Sequence, residues 1–169
     1  MTNILNMKKL LILLFFPLVI NAQDYKGAIG IRGGESAGIS LQLFSDESNA
    51  AQALLSFRKN GMQFTVLKEK YMPVLLNYSD HIFLYQGYGG HIGFERWYNW
   101  KDDEWPYDYH MRSAPLAGIE GVVGLEYRLF KCPLKFGLEY KPFAELSFHN
   151  VFRLNVWDFG VTIHYMFNK

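Results

Sequence analysis

A chain of 169 residues and 19.7 kDa is one domain by length. Half its residues are hydrophobic, 17% are aromatic and 20% are charged, and no long apolar run follows the N-terminus, which excludes both a disordered chain and a bundle of membrane helices. A net charge of +1 gives no attraction to nucleic acid, and the single cysteine, Cys132, excludes an intrachain disulfide.

Residues 1–23 carry Lys8 and Lys9, an apolar run over 10–20, then Asn21-Ala22. A basic start, an apolar stretch and a small residue make the pattern of a secretory signal peptide, cleaved after Ala22. The run is short for a membrane anchor, and no cysteine stands near the cut to carry a lipid. The sequence therefore divides into residues 1–22, removed on export, and a domain over 23–169. Loss of Lys8 and Lys9 leaves 15 basic against 16 acidic residues, a net charge of −1.

Past Gln23 the pattern is alternation, which predicts strands. Ile29 and Ile31 oppose Ala28, Gly30 and Arg32. Ile39, Leu41 and Leu43 oppose Ser40 and Gln42. Ala51, Ala53, Leu55 and Phe57 oppose Gln52, Ser56 and Arg58, and Met62, Phe64 and Val66 oppose Gln63 and Thr65. The glycine-rich stretch 81–94 is a fifth strand whose faces the pattern leaves open. From Ala117 the apolar face is Ile119, Val123, Leu125 and Tyr127, against Glu120, Val122, Gly124, Glu126 and Arg128. From Leu134 to His149 a long strand sets Phe136, Leu138, Tyr140 and Leu146 against Lys135, Glu139, Lys141, Glu145 and Ser147. The eighth runs over 154–167, with Trp157, Phe159, Val161, Ile163 and Tyr165 opposite Asp158, Gly160, Thr162 and His164. Turn signals at Gly33-Gly34, Ser45-Asp46, Lys59-Asn60-Gly61 and Lys131-Cys132-Pro133 separate them, with Asn60-Gly61 a strong hairpin signal.

Eight such strands suit a closed barrel. A secreted soluble ligand-binding barrel is apolar inside, and a membrane barrel is the reverse. Here the apolar faces are large, with aromatics toward strand ends, and the polar faces mix small residues with charges of both signs. Arg32, Arg58, Arg128, Lys135 and Lys141 stand against Glu120, Glu126, Glu139, Glu145 and Asp158, a balanced set that can pair inside. The expectation is an all-β fold: an eight-stranded antiparallel up-and-down transmembrane β-barrel with a polar interior filled by side chains rather than an open pore.

The opening 25–34 (YKGAIGIRGG), the stretch 118–127 (GIEGVVGLEY), the later 138–142 (LEYKP) and the closing 160–167 (GVTIHYMF) resemble small outer-membrane β-barrel proteins of Bacteroidota. The resemblance spans nearly the whole mature chain. It implies an outer-membrane location, contact with outer-membrane lipid, and insertion by a barrel-assembly machinery that reads an aromatic end of the last strand. Phe167 fits that role, although Asn168-Lys169 follow it.

Two features carry candidate chemistry. The segment 95–115 holds Trp97, Tyr98, Trp100, Trp105, Tyr107 and Tyr109 beside Asp102, Asp103, Glu104 and Asp108. Read as an external loop between strands five and six, it offers a surface for an extracellular ligand or protein partner. Its carboxylates are also of the kind calcium takes, although a solvated loop explains them more simply. Ser147 and His149 share a face, and Asp158 or Glu145 could orient the histidine for ester hydrolysis. That set looks faintly like outer-membrane lipid A deacylases, but the order of serine and histidine is reversed. The remaining histidines, His81, His91, His110 and His164, lack metal-ligand spacing, and Gly87, Gly89, Gly90 and Gly93 precede no phosphate-loop lysine. No metal, cofactor or nucleic-acid partner is expected. A non-catalytic structural or binding role is favoured over an esterase or acyl hydrolase.

Overall fold

The computed structural model describes residues 25–58, 61–74, 81–99, 110–129, 132–147 and 152–167. The predicted leader over 1–22 lies outside them. The described residues form ten β segments: β1 Gly27–Gly34, β2 Ala37–Phe44, β3 Asn49–Arg58, β4 Gly61–Pro73, β5 Ile82–Asn99, β6 His110–Arg128, β7 Leu134–Tyr140, β8 Phe143–Ser147, β9 Arg153–Asn155 and β10 Phe159–Phe167. They make eight staves. β7 and β8 both pair with β6 and form one stave, interrupted at Lys141-Pro142. β9 and β10 form another, interrupted at 156–158 alongside. The proline cannot donate to a ladder. The chain steps past it with Lys141 N–H donating to the Asp158 carbonyl at 2.8 Å and Gly121 N–H to the Pro142 carbonyl at 3.0 Å. The uninterrupted strands expected over 134–149 and 154–167 are corrected to this extent.

Every neighbour is antiparallel, and β10 closes on β1. The closure has a defined stagger. Register partners followed from Tyr127 run through Phe136, Ile163, Ile31, Ile39, Leu55, Phe64 and Ile92, and return to β6 at Ala117, ten residues from the start. Such a stagger in a closed sheet corresponds to strands tilted by roughly 35–45°. With eight staves the interior is just wide enough for side chains to fill.

The two faces separate as the alternation predicts. Large apolar side chains cover the outside, among them Ile31, Ile119, Leu138, Leu146 and Val161. Tyr127 and Tyr165 lie toward the end that holds Gly27 and Phe167, Trp157 and Phe57 toward the opposite rim, and Tyr140 midway along its stave, tilted against Phe159 at 5.0 Å. No helix among the described residues is long and apolar enough to cross a membrane; the apolar surface belongs to strands. The faces left open for 81–94 are now assigned: Leu84, Tyr88 and Ile92 point out, and Tyr85 and His91 point in.

Three boundaries differ from the sequence reading. β4 continues past Val66 to Pro73, because Lys68, Glu69 and Lys70 put charges on both faces and so hide the alternation. The turn after β3 comes one residue early, since Gly61 already pairs with Arg58. The segment 95–115 is strand at both its ends: Glu95 to Asn99 pair with Ala114 to His110, and 100–109 lies outside the described residues.

Two turns have visible causes. Gly34 has φ +140°, and a Cβ there would lie 2.3 Å from the Phe159 carbonyl oxygen, so the β1–β2 turn requires glycine. Between β2 and β3 the Asp46 carboxylate accepts from the Ser48 and Asn49 amides at 2.8 Å each, and from the Asn49 side chain. The Asn49 side-chain bond, followed by the amides, holds this exposed carboxyl below its usual range. The turn is therefore expected to be fully ordered above about pH 4 and to fray as pH falls below it. Amide exchange at Ser48 and Asn49 across that window checks this.

Candidate functional site

Inward alternation places charge on staves far apart in sequence at three levels of one narrow interior. Near the end holding Gly27 and Phe167, Lys135 Nζ donates to Glu126 at 2.7 Å and to Gln42 at 2.5 Å. Arg128 Nε meets the other oxygen of Glu126 at 2.8 Å, and its guanidinium lies 3.7 Å from the Phe83 ring centre. Such a cation over an aromatic face is an electrostatic attraction. Glu69 accepts from Tyr71 at 3.0 Å and Gln42 at 3.2 Å, and Tyr71 stacks on Tyr85 at 5.0 Å.

At mid-height Arg32 is the hub. Its Nε meets Glu139 at 2.8 Å, Nη2 meets Asp158 at 3.1 Å and Nη1 donates to Ser36 Oγ at 2.7 Å. Ser36 donates onward to Asp158, and Tyr85 donates to the second oxygen of Glu139 at 2.7 Å. Lys141 meets Glu120 at 2.8 Å. Toward the other rim, His91 lies between Glu145 at 3.2 Å and Glu120 at 3.7 Å. Arg58 reaches Glu145 at 2.8 Å while lying over the Phe143 ring, and Arg153 also pairs with Glu145.

The structure thus places Arg32, Arg58, Arg128, Lys135, Lys141, Glu120, Glu126, Glu139, Glu145 and Asp158 on the inner side and links them to one another. Fully buried lysines and carboxylates fill the middle of the barrel. Buried charges are tolerated only when paired and hydrogen-bonded; most here have an ion-pair partner, whereas Glu69 is held by the neutral donors Tyr71 and Gln42. Sequence reasoning missed Glu69, Glu95, His91, Tyr71, Tyr85, Gln42 and Arg153 as members. Glu69 was readable in principle, since it continues the inward phase of Gln63, Thr65 and Leu67.

At the rim away from Gly27, a mouth of about 410 Å³ is lined by Glu35, Arg58, Glu95, Arg153 and Asn155 among others. Among the described residues, β5 and β6 beyond Glu95 and Ala114 pair only with each other, so 96–99 and 110–113 form a two-stranded ribbon past the rim. The proposed binding residues Trp97 and Tyr98 belong to this ribbon rather than to a loop. Trp100, Asp102, Asp103, Trp105, Tyr107 and Tyr109 lie outside the described residues.

A solved structure has the same closed course. The chain is similar to the N-terminal β-barrel domain of Pseudomonas aeruginosa OprF, a crystal structure, with a TM-score of 0.50 and 12% identity over 86% of this chain and 100% of that one. At that identity the likeness concerns the fold. No protein-family model and no curated protein matches the chain.

Of the candidate hydrolase residues, Ser147 and Asp158 are each engaged by other partners. Ser147 Oγ donates to Glu95, and Asp158 is engaged at mid-height by Arg32 and Ser36. His149 lies outside the described residues. Ser147→Ala is expected to leave the acyl composition of membrane lipid unchanged, as read by mass spectrometry of extracted lipid. Among the described residues no group of histidine, cysteine or acidic side chains is arranged to hold a metal.

Proposed function

We propose that this chain is an exported outer-membrane barrel of the small Bacteroidota type, with a structural or binding role at its external rim and without catalysis or an open pore. The observation that carries the reading is the inverted polarity of the wall. Isoleucine, leucine, valine and aromatic side chains face out all round the barrel, while ion pairs and carboxylates are sealed inside. In water that arrangement exposes an apolar belt far larger than a monomer tolerates; in lipid it is the stable one.

Closely packed ion pairs across the bore support a filled interior over a channel. The ribbon with Trp97 and Tyr98, and the segment 100–109 it leads to, are the surface we assign to an external ligand or protein. Residues 1–22 act as the export signal, and Phe167 is the residue offered to the assembly machinery. Membrane fractionation, with boiled and unboiled samples compared on a denaturing gel, tests the location. Sedimentation with outer membrane and faster migration unboiled are expected; a detergent-free soluble chain with no shift overturns the reading. In planar bilayers the folded protein is expected to add no steady conductance.

A further inference from the structure

Among the described strand residues, the outer wall carries charge of one sign only. The carboxylates of the strands, Glu69, Glu95, Glu120, Glu126, Glu139 and Glu145, all face inward. Lys68 and Lys70 of β4 face outward and are exposed, with no ion pair or hydrogen bond among the described residues. A cation on a lipid-facing wall is costly at the midplane and tolerated near an interface. Both lie in the half of β4 nearer the end that holds Gly27 and Phe167, with Lys70 opposite Asn49 and Gln86 and Lys68 opposite Ala51 and Tyr88.

The wall beside them is hollow. A cavity of about 520 Å³ is lined by Lys68, Lys70, Gln86, Tyr88, Gly121 and Tyr140 among others. At Gly121 an added Cβ would meet nothing nearer than 3.9 Å, so bare backbone forms part of its floor. Farther along β5 and β6, toward the opposite rim, a second hollow of about 740 Å³ is lined by Phe64, Ile92, Ala117 and Leu146. The wall therefore sets two cations beside one hollow and continues into a wholly uncharged one at the next level, the order of groups in an amphiphile with an anionic head.

We propose that this groove binds an anionic phospholipid of the leaflet on the Gly27 and Phe167 side, its phosphate held by Lys68 and Lys70 and an acyl chain laid over Gly121 along β5 and β6. The proposal rests on the membrane reading above. Orientation with that end toward the periplasm makes the available anionic lipid a glycerophospholipid rather than lipopolysaccharide.

The test is native mass spectrometry of the folded protein in detergent with phosphatidylglycerol, phosphatidylethanolamine or lipopolysaccharide added. One phosphatidylglycerol is expected to be retained. The variant carrying Lys68→Gln and Lys70→Gln, still heat-modifiable, is expected to lose roughly thirty-fold in affinity, as two lysine–phosphate attractions near a membrane surface imply. Gly121→Leu, which fills the floor and leaves both lysines, is expected to weaken retention as well. Equal retention by wild type and the double variant, or preference for either other lipid, overturns the proposal. A heat-modifiable barrel indifferent to phosphatidylglycerol overturns this inference alone; a chain soluble without detergent overturns the membrane reading with it.

Discussion

Arg32→Met is expected to destabilise the barrel by about 3–5 kcal/mol, the cost of leaving buried charge without its partner. Arg32 joins β1 to Glu139 of β7, to Asp158 between β9 and β10, and to Ser36 in the β1–β2 turn, with its own side chain and that of Asp158 wholly enclosed. Methionine fills most of the volume but supplies no donor. Two carboxylates then face each other across the space with Ser36, Tyr85 and the more distant Lys141 as remaining partners. Adding Glu139→Gln and Asp158→Asn to Arg32→Met removes the uncompensated charge and is expected to recover a large part of the loss, because residues in one network do not act additively. Urea unfolding of the reconstituted proteins, followed by tryptophan fluorescence, measures both. Equal stability of wild type and Arg32→Met would mean that the mid-height network contributes nothing to holding the staves together.

The orientation of this network was legible in the sequence, and its pairings were not. Period-two alternation decides which residue points inward, so Arg32, Glu139 and Asp158 could be assigned to one face without coordinates. Arg32 and Glu139 are 107 positions apart, and only barrel closure and stagger bring them to 2.8 Å. Alternation also fails where both faces are charged, as at Lys68, Glu69 and Lys70, and where glycine removes the side chains to be compared, as over 87–93. The ribbon beyond the rim was misread for a related reason. Tryptophan, tyrosine and charged residues there resemble a loop by composition, whereas β5 and β6 continue because each supplies the other's backbone partners to Asn99 and His110. The rim surface beyond it stands as an assignment from residue type.

Val161→Arg is expected to cost about 2–4 kcal/mol in a lipid bilayer, and Tyr165→Arg much less, about 0–1 kcal/mol. Val161 is 54% exposed near the middle of the outer wall, beside Leu138 and Gly33, with Phe159 and Trp157 toward one rim. Tyr165 lies on the same outward phase nearer the other end, next to Ile29 and Leu134, where a guanidinium can extend to headgroups and water. The contrast between the two positions is the informative quantity. Both side chains are exposed on the same strand, so packing alone predicts similar small changes, and surface substitutions in water fall within about ±0.5 kcal/mol. A lipid-facing wall instead imposes a dependence on depth. Refolding into vesicles, with stability read from urea titration, is expected to rank wild type, Tyr165→Arg and Val161→Arg in descending order. If Val161→Arg were neutral and made the chain more soluble, the apolar belt would be facing water or a partner, and the charged interior would need an explanation other than life in a bilayer.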